Sequence, residues 1–161
     1  THFTEEMKKL FHMSDLGLLS YYLGIEVKQT QSAITISQSS YAARILEKCG
    51  MADCYSTKVP MEPRQKLSKH SKNPPVDATM YRSIVGSLRY LVHSRPDIAY
   101  AVGIVSRFME SPTTEHMAAV KQILRYVKGT LDYGVVYKFS EMGLQLGGYS
   151  DIDHARDVDD R

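Results

Sequence analysis

Apolar positions recur along the chain with two different periods, and the change between them predicts where strands give way to helices. From Ser20 to Gln29 they alternate with polar residues or glycine, which is the period of a half-buried strand. A polar turn over residues 30–32 and a second strand over residues 34–37 follow, so the pattern predicts a β-hairpin. Before it, apolar residues at helical spacing predict the end of a helix over residues 4–12.

Four later segments repeat their apolar residues every three or four positions, as helices that bury one face do. The first begins near Gln38 and ends at Gly50, which suits the left-handed residue that follows a helix. The apolar stripes of the other three span residues 81–92, 98–109 and 117–127. Ser94 and Asp97 fit a capping box with Pro96 in the first turn, and they predict where the second of these three helices begins.

Two stretches do not follow this helical pattern. Residues 61–77 lack periodicity and contain three prolines, so we expect a linker or a functional loop there. Residues 133–138 and 144–150 each have the pattern of a strand, and we expect them to form a new sheet after the helices. The predicted fold class is therefore α+β, with a β-hairpin and a helical bundle followed by the first strands of a second sheet.

Composition narrows the class of protein. Of the 161 residues, 43% are hydrophobic and 24% are charged, which is ordinary for a globular chain of one or two small units. No apolar run approaches the roughly 18–20 residues needed to span a bilayer, and the first residues lack the pattern of a secretory signal. Cys49 and Cys54 are too few for a disulfide framework, so we interpret them as reduced thiols of an intracellular protein in the cytoplasm or nucleus.

Charge is distributed unevenly along the chain. Residues 1–40 carry a net charge of −1, residues 41–130 a net charge of +7, and residues 131–161 a net charge of −4. A basic middle suits a polyanionic partner, and an acidic end suits metal binding. A solvated surface is the plainer explanation of each block when it is taken alone.

Two rows of basic residues are candidates for binding nucleic acid. Lys121, Arg125 and Lys128 are spaced four and three residues apart, so they share one helix face. Arg82 and Arg89, seven residues apart, share a face of another helix. Such rows can follow phosphates with little dependence on nucleotide sequence, and the alternative is a solvated helix face.

Two further features have candidate chemistry. Asp151 and Asp153 follow an apolar run, where carboxylates can hold a divalent metal, and the alternative is an acidic, solvated chain end. Gly24 interrupts the strand predicted over residues 20–29. A glycine inside a strand suits the close approach of another backbone, which is either a nucleic-acid strand or a packed protein segment.

Eight short blocks of residues follow one another along the chain in an order that is characteristic of one protein family. The blocks are Ser14–Gly17, Tyr22–Val27, Ile36–Ser39, Val59–Met61, Tyr81–Leu88, Arg95–Val102, Leu124–Thr130 and Gly148–Asp151. Together they resemble the C-terminal part of copia-type LTR retrotransposon reverse transcriptases, collinearly and over essentially the whole chain. The resemblance implies that residues 1–37 end the palm with the primer-grip hairpin. It also implies that residues 38–130 form the helical thumb and connection and that residues 131–161 begin an RNase H domain.

The resemblance assigns roles to the candidate residues. Tyr22, Leu23 and Gly24 would position the primer 3′ end. The residues that would contact an RNA–DNA or DNA duplex are Arg82, Arg89, Lys121, Arg125 and Lys128. Asp151 would be the first metal-binding carboxylate of the RNase H-like sheet, with Asp153 a weaker candidate. The intact enzyme would use Mg²⁺ to join deoxynucleotides and to degrade RNA in the hybrid.

The resemblance also predicts what this chain lacks. The family's polymerase Asp-Asp motif is expected before Thr1, and the remaining RNase H carboxylates are expected after Arg161. One carboxylate cannot build a two-metal site, so we expect the chain alone to bind no Mg²⁺ tightly and to be inactive. It would contribute template–primer binding beside the rest of the Pol polyprotein, and it would have no membrane partner.

Three residues depart from the family pattern. Met117 and His154 stand where the family commonly has Trp, and Arg156 stands where it usually has Gly. These departures point to a decayed or truncated copy of the family. Two alternatives to a reverse-transcriptase fragment stay open, which are a non-catalytic nucleic-acid-binding module and an inert transposon remnant.

Overall fold

The computed structural model describes residues 2–14, 16–63, 65–139 and 159. In these residues, five α-helices, one short 3₁₀ helix and four strands follow one another along the chain. The α-helices are α1 (His2–Leu10), α2 (Ser39–Lys48), α3 (Ala78–Leu91), α4 (Ala99–Ser106) and α5 (Thr114–Lys128), and the 3₁₀ helix is Pro96–Ile98. The strands are β1 (Tyr21–Tyr22), β2 (Ile25–Gln29), β3 (Ala33–Ser37) and β4 (Gly134–Lys138).

The core lies between helices α2 to α5, and the predicted apolar stripes of these helices face it. Its largest apolar members include Leu46, Tyr81, Leu88, Ile123 and Leu124. The Tyr81 hydroxyl donates a hydrogen bond to the Val105 carbonyl oxygen at 2.8 Å, which ties α3 to α4. Burial raises the pKa of Tyr81 above its ordinary value, because a phenolate would lose its hydration there. The four helices predicted from periodicity are present, and their apolar stripes face one core.

The single strand predicted over residues 20–29 is wrong. The segment folds back on itself at Leu23 and Gly24, and Tyr22 of β1 pairs with Ile25 of β2. Leu23 and Gly24 both have positive φ, at 49° and 83°, as a two-residue hairpin turn requires. Gly24 supplies the backbone conformation of this turn, and no protein segment packs closely on it, since a Cβ there would meet no protein atom within 4 Å. The close approach of a nucleic-acid strand stays a prediction.

The strand predicted over residues 133–138 exists, but it does not begin a new sheet. Strand β4 pairs antiparallel with β3, so all four strands form one sheet in the order β1-β2-β3-β4. Gly134 permits this approach, because a Cβ there would lie 2.3 Å from the Ile36 carbonyl oxygen. An alternating pattern predicts a strand but not its partner. The second predicted strand, 144–150, lies outside the described residues, and an RNase H-like sheet stays a prediction.

The helix ends confirm part of the capping prediction and correct the rest. Gly50 follows α2 with φ of 64°, as predicted, and Pro96 opens the 3₁₀ helix before α4. The predicted capping box of Ser94 with Asp97 is wrong. Ser94 is buried, and its hydroxyl donates to the side-chain oxygen of Gln38 at 2.8 Å.

The loop over residues 61–77 is irregular, as predicted, and its described residues are held against the start of α5. The Thr114 amide donates to the Pro74 carbonyl oxygen at 2.9 Å, and the Val76 amide donates to that of Pro112 at 3.0 Å. Leu67 is buried in the core. Across the described parts of the chain, no helix has both the length and the apolar character needed to cross a bilayer.

Candidate nucleic-acid interface

The tip of the hairpin presents apolar side chains to solvent. Tyr22 is 60% exposed and Leu23 is 69% exposed. Leu23 is the one non-glycine residue with positive φ in the described part of the chain, and such a conformation is costly for a side chain with a Cβ. The Tyr90 hydroxyl donates a hydrogen bond to the Leu23 carbonyl oxygen and so anchors this turn to α3.

Helix α3 also carries the first predicted basic row. Arg82 and Arg89 are exposed on one face, with Gly86 between them. A Cβ at Gly86 would meet nothing within 4 Å, so this face is open. Arg82 is oriented by a hydrogen bond from its guanidinium to the Met109 carbonyl oxygen at 3.1 Å. The structure thus brings Tyr22, Leu23 and Gly24 to the same helix as the first basic row.

A groove of about 380 Å³ runs between α3 and α4 beside this row. Arg89 and Arg107 line it together with Gly103, where a Cβ would also meet open space. The residues that line the groove include no Asp or Glu. The exposed guanidinium of Arg89 makes this groove a candidate site for an anion such as a phosphate.

The second predicted basic row lies on α5. Lys121 and Arg125 are exposed and Lys128 is half-buried. The irregular segment that follows α2 lies beside the basic row on α5, because the Thr57 amide donates to the Arg125 carbonyl oxygen at 3.4 Å. Gln122, one position from Lys121, donates to the Glu62 carboxylate at 3.2 Å. This row is therefore less purely basic than the one on α3.

Arg95, which has no assigned role in the sequence interpretation, is one of the largest fully buried side chains. Its guanidinium makes a two-point contact with the Asp97 carboxylate, at 2.9 Å and 2.7 Å. It also donates to the carbonyl oxygen of Thr130 at 2.8 Å and to its hydroxyl at 2.7 Å. The rings of Tyr126 and Tyr133 lie 5.7 Å and 5.4 Å from its central carbon. Arg95 thus joins the start of α4 to the end of α5 and is not available to a ligand.

The pKa of Asp97 reflects this contact. Burial by itself raises the pKa of the Asp97 carboxyl, but the hydrogen bonds and the charge of Arg95 outweigh it and hold the pKa below its ordinary value. In the sequence, this pair belongs to Arg95–Val102, one of the blocks that resemble the family. The contact between Arg95 and Asp97 gives these two residues of the block a structural role in this fold.

The His116 side chain takes part in the cap at the start of α5 and also forms a hydrogen bond with the loop that precedes the helix. Its Nδ1 accepts from the Thr113 amide at 3.0 Å, and its Nε2 therefore donates to the Ser68 carbonyl oxygen at 3.1 Å. The ring stacks on Phe108 with centroids 4.0 Å apart. Burial lowers the pKa of His116, although the Ser68 hydrogen bond and nearby Glu115 favour the protonated form. The spacing Thr113-x-x-His116 is that of a capping box, with His replacing Glu or Gln.

The predicted catalytic and metal-binding carboxylates, Asp151 and Asp153, lie outside the described residues. Asp159 is described: its carboxylate accepts from the Ser68 hydroxyl at 2.7 Å and from the Lys69 amide at 2.6 Å. These hydrogen bonds lower the pKa of Asp159, and they give it a structural role against the loop over residues 61–77. Where the structure describes side chains, no three of His, Cys, Asp and Glu form a group that could hold a metal ion.

Comparisons with known proteins indicate the family of the chain. Residues 1–63 match a family model described as reverse transcriptase (RNA-dependent DNA polymerase). The chain is 42% identical, over 97% of its length, to the retrovirus-related Pol polyprotein from transposon RE1 of Arabidopsis thaliana, and it covers 11% of that protein. It is 40% identical over 97% of its length to that from transposon TNT 1-94 of Nicotiana tabacum, covering 12% of it.

A shorter relative has no transposon in its name. The chain is 41% identical, over 87% of its length, to an uncharacterized mitochondrial protein of Arabidopsis thaliana, and it covers 58% of that protein. No solved structure matches the chain. The chain spans about a tenth of the length of the Pol polyproteins that it matches. The chain belongs to the copia-type retrotransposon reverse transcriptases, as a region of their retrovirus-related Pol polyprotein.

Proposed function

We propose that this chain holds the template–primer duplex of a retrotransposon reverse transcriptase and neither polymerises DNA nor cuts RNA by itself. The observation that supports this most directly is the anchoring of the exposed Leu23–Gly24 turn to α3. The same helix exposes Arg82 and Arg89. An apolar tip that can rest on sugars and bases then lies on the helix whose cations can contact phosphates.

The proposal divides the chain as the family resemblance implies. The hairpin within residues 1–37 is the primer grip, and residues 38–130 are thumb and connection. RNase H begins within residues 131–161, after β4, which belongs to the sheet of the hairpin. Asp151, with Asp153 as a weaker candidate, supplies a first carboxylate for Mg²⁺ in the intact enzyme. The other metal-binding carboxylates come from the rest of the Pol polyprotein. The protein acts in the cytoplasm or the nucleus.

Binding to an RNA–DNA hybrid across a range of salt concentrations tests the proposal. Log affinity should fall linearly with log salt, because phosphate contacts release counterions. Replacing Arg82 and Arg89 by Gln should flatten the slope by about 0.9 for each lost contact. Replacing Lys8 and Lys9 of α1 by Gln removes the same charge elsewhere and should leave the slope unchanged.

The same experiment decides the role of α5 and whether the chain is an inert remnant. If α5 contacts phosphates, Arg125→Ala with Lys128→Ala flattens the slope in the same way. Binding without any nucleotide incorporation fits both a duplex-holding region and a free-standing binding module. A chain that binds no hybrid at low salt would be an inert remnant, and the proposal would fail.

Lack of catalysis has its own test. The purified chain, supplied with primed template, labelled deoxynucleotide and Mg²⁺, should incorporate no label. Incorporation that a chelator abolishes would contradict this part of the proposal.

A further inference from the structure

We propose that Tyr90 is a positioning residue, whose hydroxyl holds the Leu23 carbonyl so that the hairpin tip is presented to nucleic acid in one fixed conformation. This inference rests on the proposed function, because it concerns how the same tip is held. It assigns no contact with nucleic acid to Tyr90 itself.

The first argument is the conformation of the turn. A two-residue hairpin turn with positive φ at both positions favours Asn-Gly or Asp-Gly, and here the first position is Leu23 with φ of 49°. Leu has no polar side chain that could stabilise this conformation locally. The turn therefore depends on a tertiary contact, and the Tyr90 hydrogen bond acts at Leu23 itself.

The second argument is that Tyr90 is itself held in place. Its ring meets the edge of the Tyr41 ring with centroids 5.2 Å apart, and the ring of His93, which follows the end of α3, lies 5.7 Å away. The Tyr41 hydroxyl donates to the Ser87 carbonyl oxygen at 3.4 Å. Because the Tyr90 side chain is packed against the rings of Tyr41 and His93, its hydroxyl can hold the turn at a fixed position relative to α3.

The third argument is a second attachment of the same hairpin. The Glu26 carboxylate accepts a hydrogen bond from the Ser40 amide at 2.9 Å, in the first turn of α2. Gln38, the residue before α2, makes no side-chain capping bond, so Glu26 supplies it from β2. The hairpin is thus tied to α2 through its strand and to α3 through its tip.

Tyr90→Phe in the full chain tests the inference, because Phe keeps the ring contacts with Tyr41 and removes only the hydroxyl. We expect an unchanged melting temperature and amide exchange at least fivefold faster over residues 22–27. That span includes Val27, whose amide donates to the Ser20 carbonyl oxygen at 2.8 Å. Affinity for an RNA–DNA hybrid should fall several-fold with an unchanged salt slope, since the phosphate contacts remain. Tyr100→Phe, on the exposed face of α4, is the matched control and should change none of these.

A substitution within the turn separates positioning from general destabilisation. Leu23→Asn favours positive φ without help from Tyr90, so Tyr90→Phe should speed exchange less in this background than in the wild type. Equal effects in both backgrounds would overturn the inference. So would a Tyr90→Phe chain that binds hybrid like wild type or keeps wild-type exchange over residues 22–27. A wild-type chain that binds no hybrid would instead overturn the proposed function, whatever the exchange rates are.

Discussion

Arg95 illustrates how one side chain can fix the junction of two helices. A buried guanidinium is tolerated when its donors are paired, and here Asp97 and Thr130 accept five hydrogen bonds from it. The planar guanidinium of Arg95 donates to both oxygens of the Asp97 carboxylate, and a Lys ammonium cannot reproduce that geometry. The contact therefore fixes the angle at which the chain enters α4.

Arg95→Lys should destabilise the fold by about 3 kcal/mol, the lower end of the cost of breaking a buried pair. The Asp97 side chain is 33% exposed, so water stabilises it in part once its partner is lost. The free energy of unfolding in urea measures the effect. Arg89→Lys, at an exposed position, should change it by less than about 0.5 kcal/mol. Equal changes in the two variants would contradict the structural role of Arg95.

His116 should make stability depend on pH between the ordinary histidine pKa of 6.5 and its own lower pKa in the folded chain. Its folded pKa lies below the ordinary value of 6.5, so in this range the unfolded chain binds a proton that the folded chain does not. Stability is therefore present above the unfolded pKa and falls as pH falls toward the folded pKa. Protonation of Nδ1 would also remove the acceptor for the Thr113 amide.

Urea unfolding of wild type and His116→Gln at pH 7 and pH 5 measures this dependence. Gln at this position retains an oxygen that can accept from the Thr113 amide, and it does not titrate. The variant should lose less stability than wild type on acidification, whereas His70→Gln, at an exposed position, should keep the wild-type pH dependence. Identical losses in wild type and His116→Gln would contradict the prediction.

At the scale of elements, the sheet depends on one glycine that permits close approach. Strand β4 adds to β3 with Gly134 opposite Ser37, and a Cβ at Gly134 would collide with the Ile36 backbone. By contrast, Gly86 lies inside α3 in open space, where Ala is the better helix former.

Gly134→Ala should therefore destabilise the pairing of β4 with β3, by about 1–3 kcal/mol for an overpacked site. Gly86→Ala should stabilise the fold by about 0.5–1 kcal/mol. Thermal unfolding shows whether each variant is less or more stable than the wild type. Amide exchange in β3 and β4 shows whether the loss of stability in Gly134→Ala lies in this strand pair. A neutral Gly134→Ala would show that β4 can shift without loss.

The whole molecule has a bundle core and a sparsely packed beginning. Helix α1 has nine residues and none of them is buried. Phe3, Leu10 and Phe11 are exposed on or beside it. Isolated helices of this length are marginal in water, so α1 has little to hold it.

Native-state amide exchange should therefore be fast in α1 and slow in α3 and α5, where it should approach the rate set by global unfolding. The apolar side chains near α1 should also promote self-association at high concentration. Light scattering and exchange on the same sample measure both. Protection of α1 equal to that of α3 in a monomeric sample would contradict this.

The sequence by itself determined which faces of helices α2 to α5 enter the core, because helical period and hydrophobicity are local properties of adjacent turns. It also predicted the hairpin segment, the loop over residues 61–77, the two basic rows and the family, whose blocks stand in linear order. It missed the turn at Leu23, because no Asn or Asp marks it and alternation alone continues through it.

Only the tertiary structure decided which segments meet. The partner of the strand at residues 134–138 lies about a hundred residues earlier in the chain, and its approach depends on a glycine opposite a backbone oxygen. The roles of Arg95, His116 and Tyr90 depend in the same way on acceptors that are distant in sequence. Periodicity reports which face of an element is apolar, but hydrogen-bond partners are set by how the packed elements orient one another.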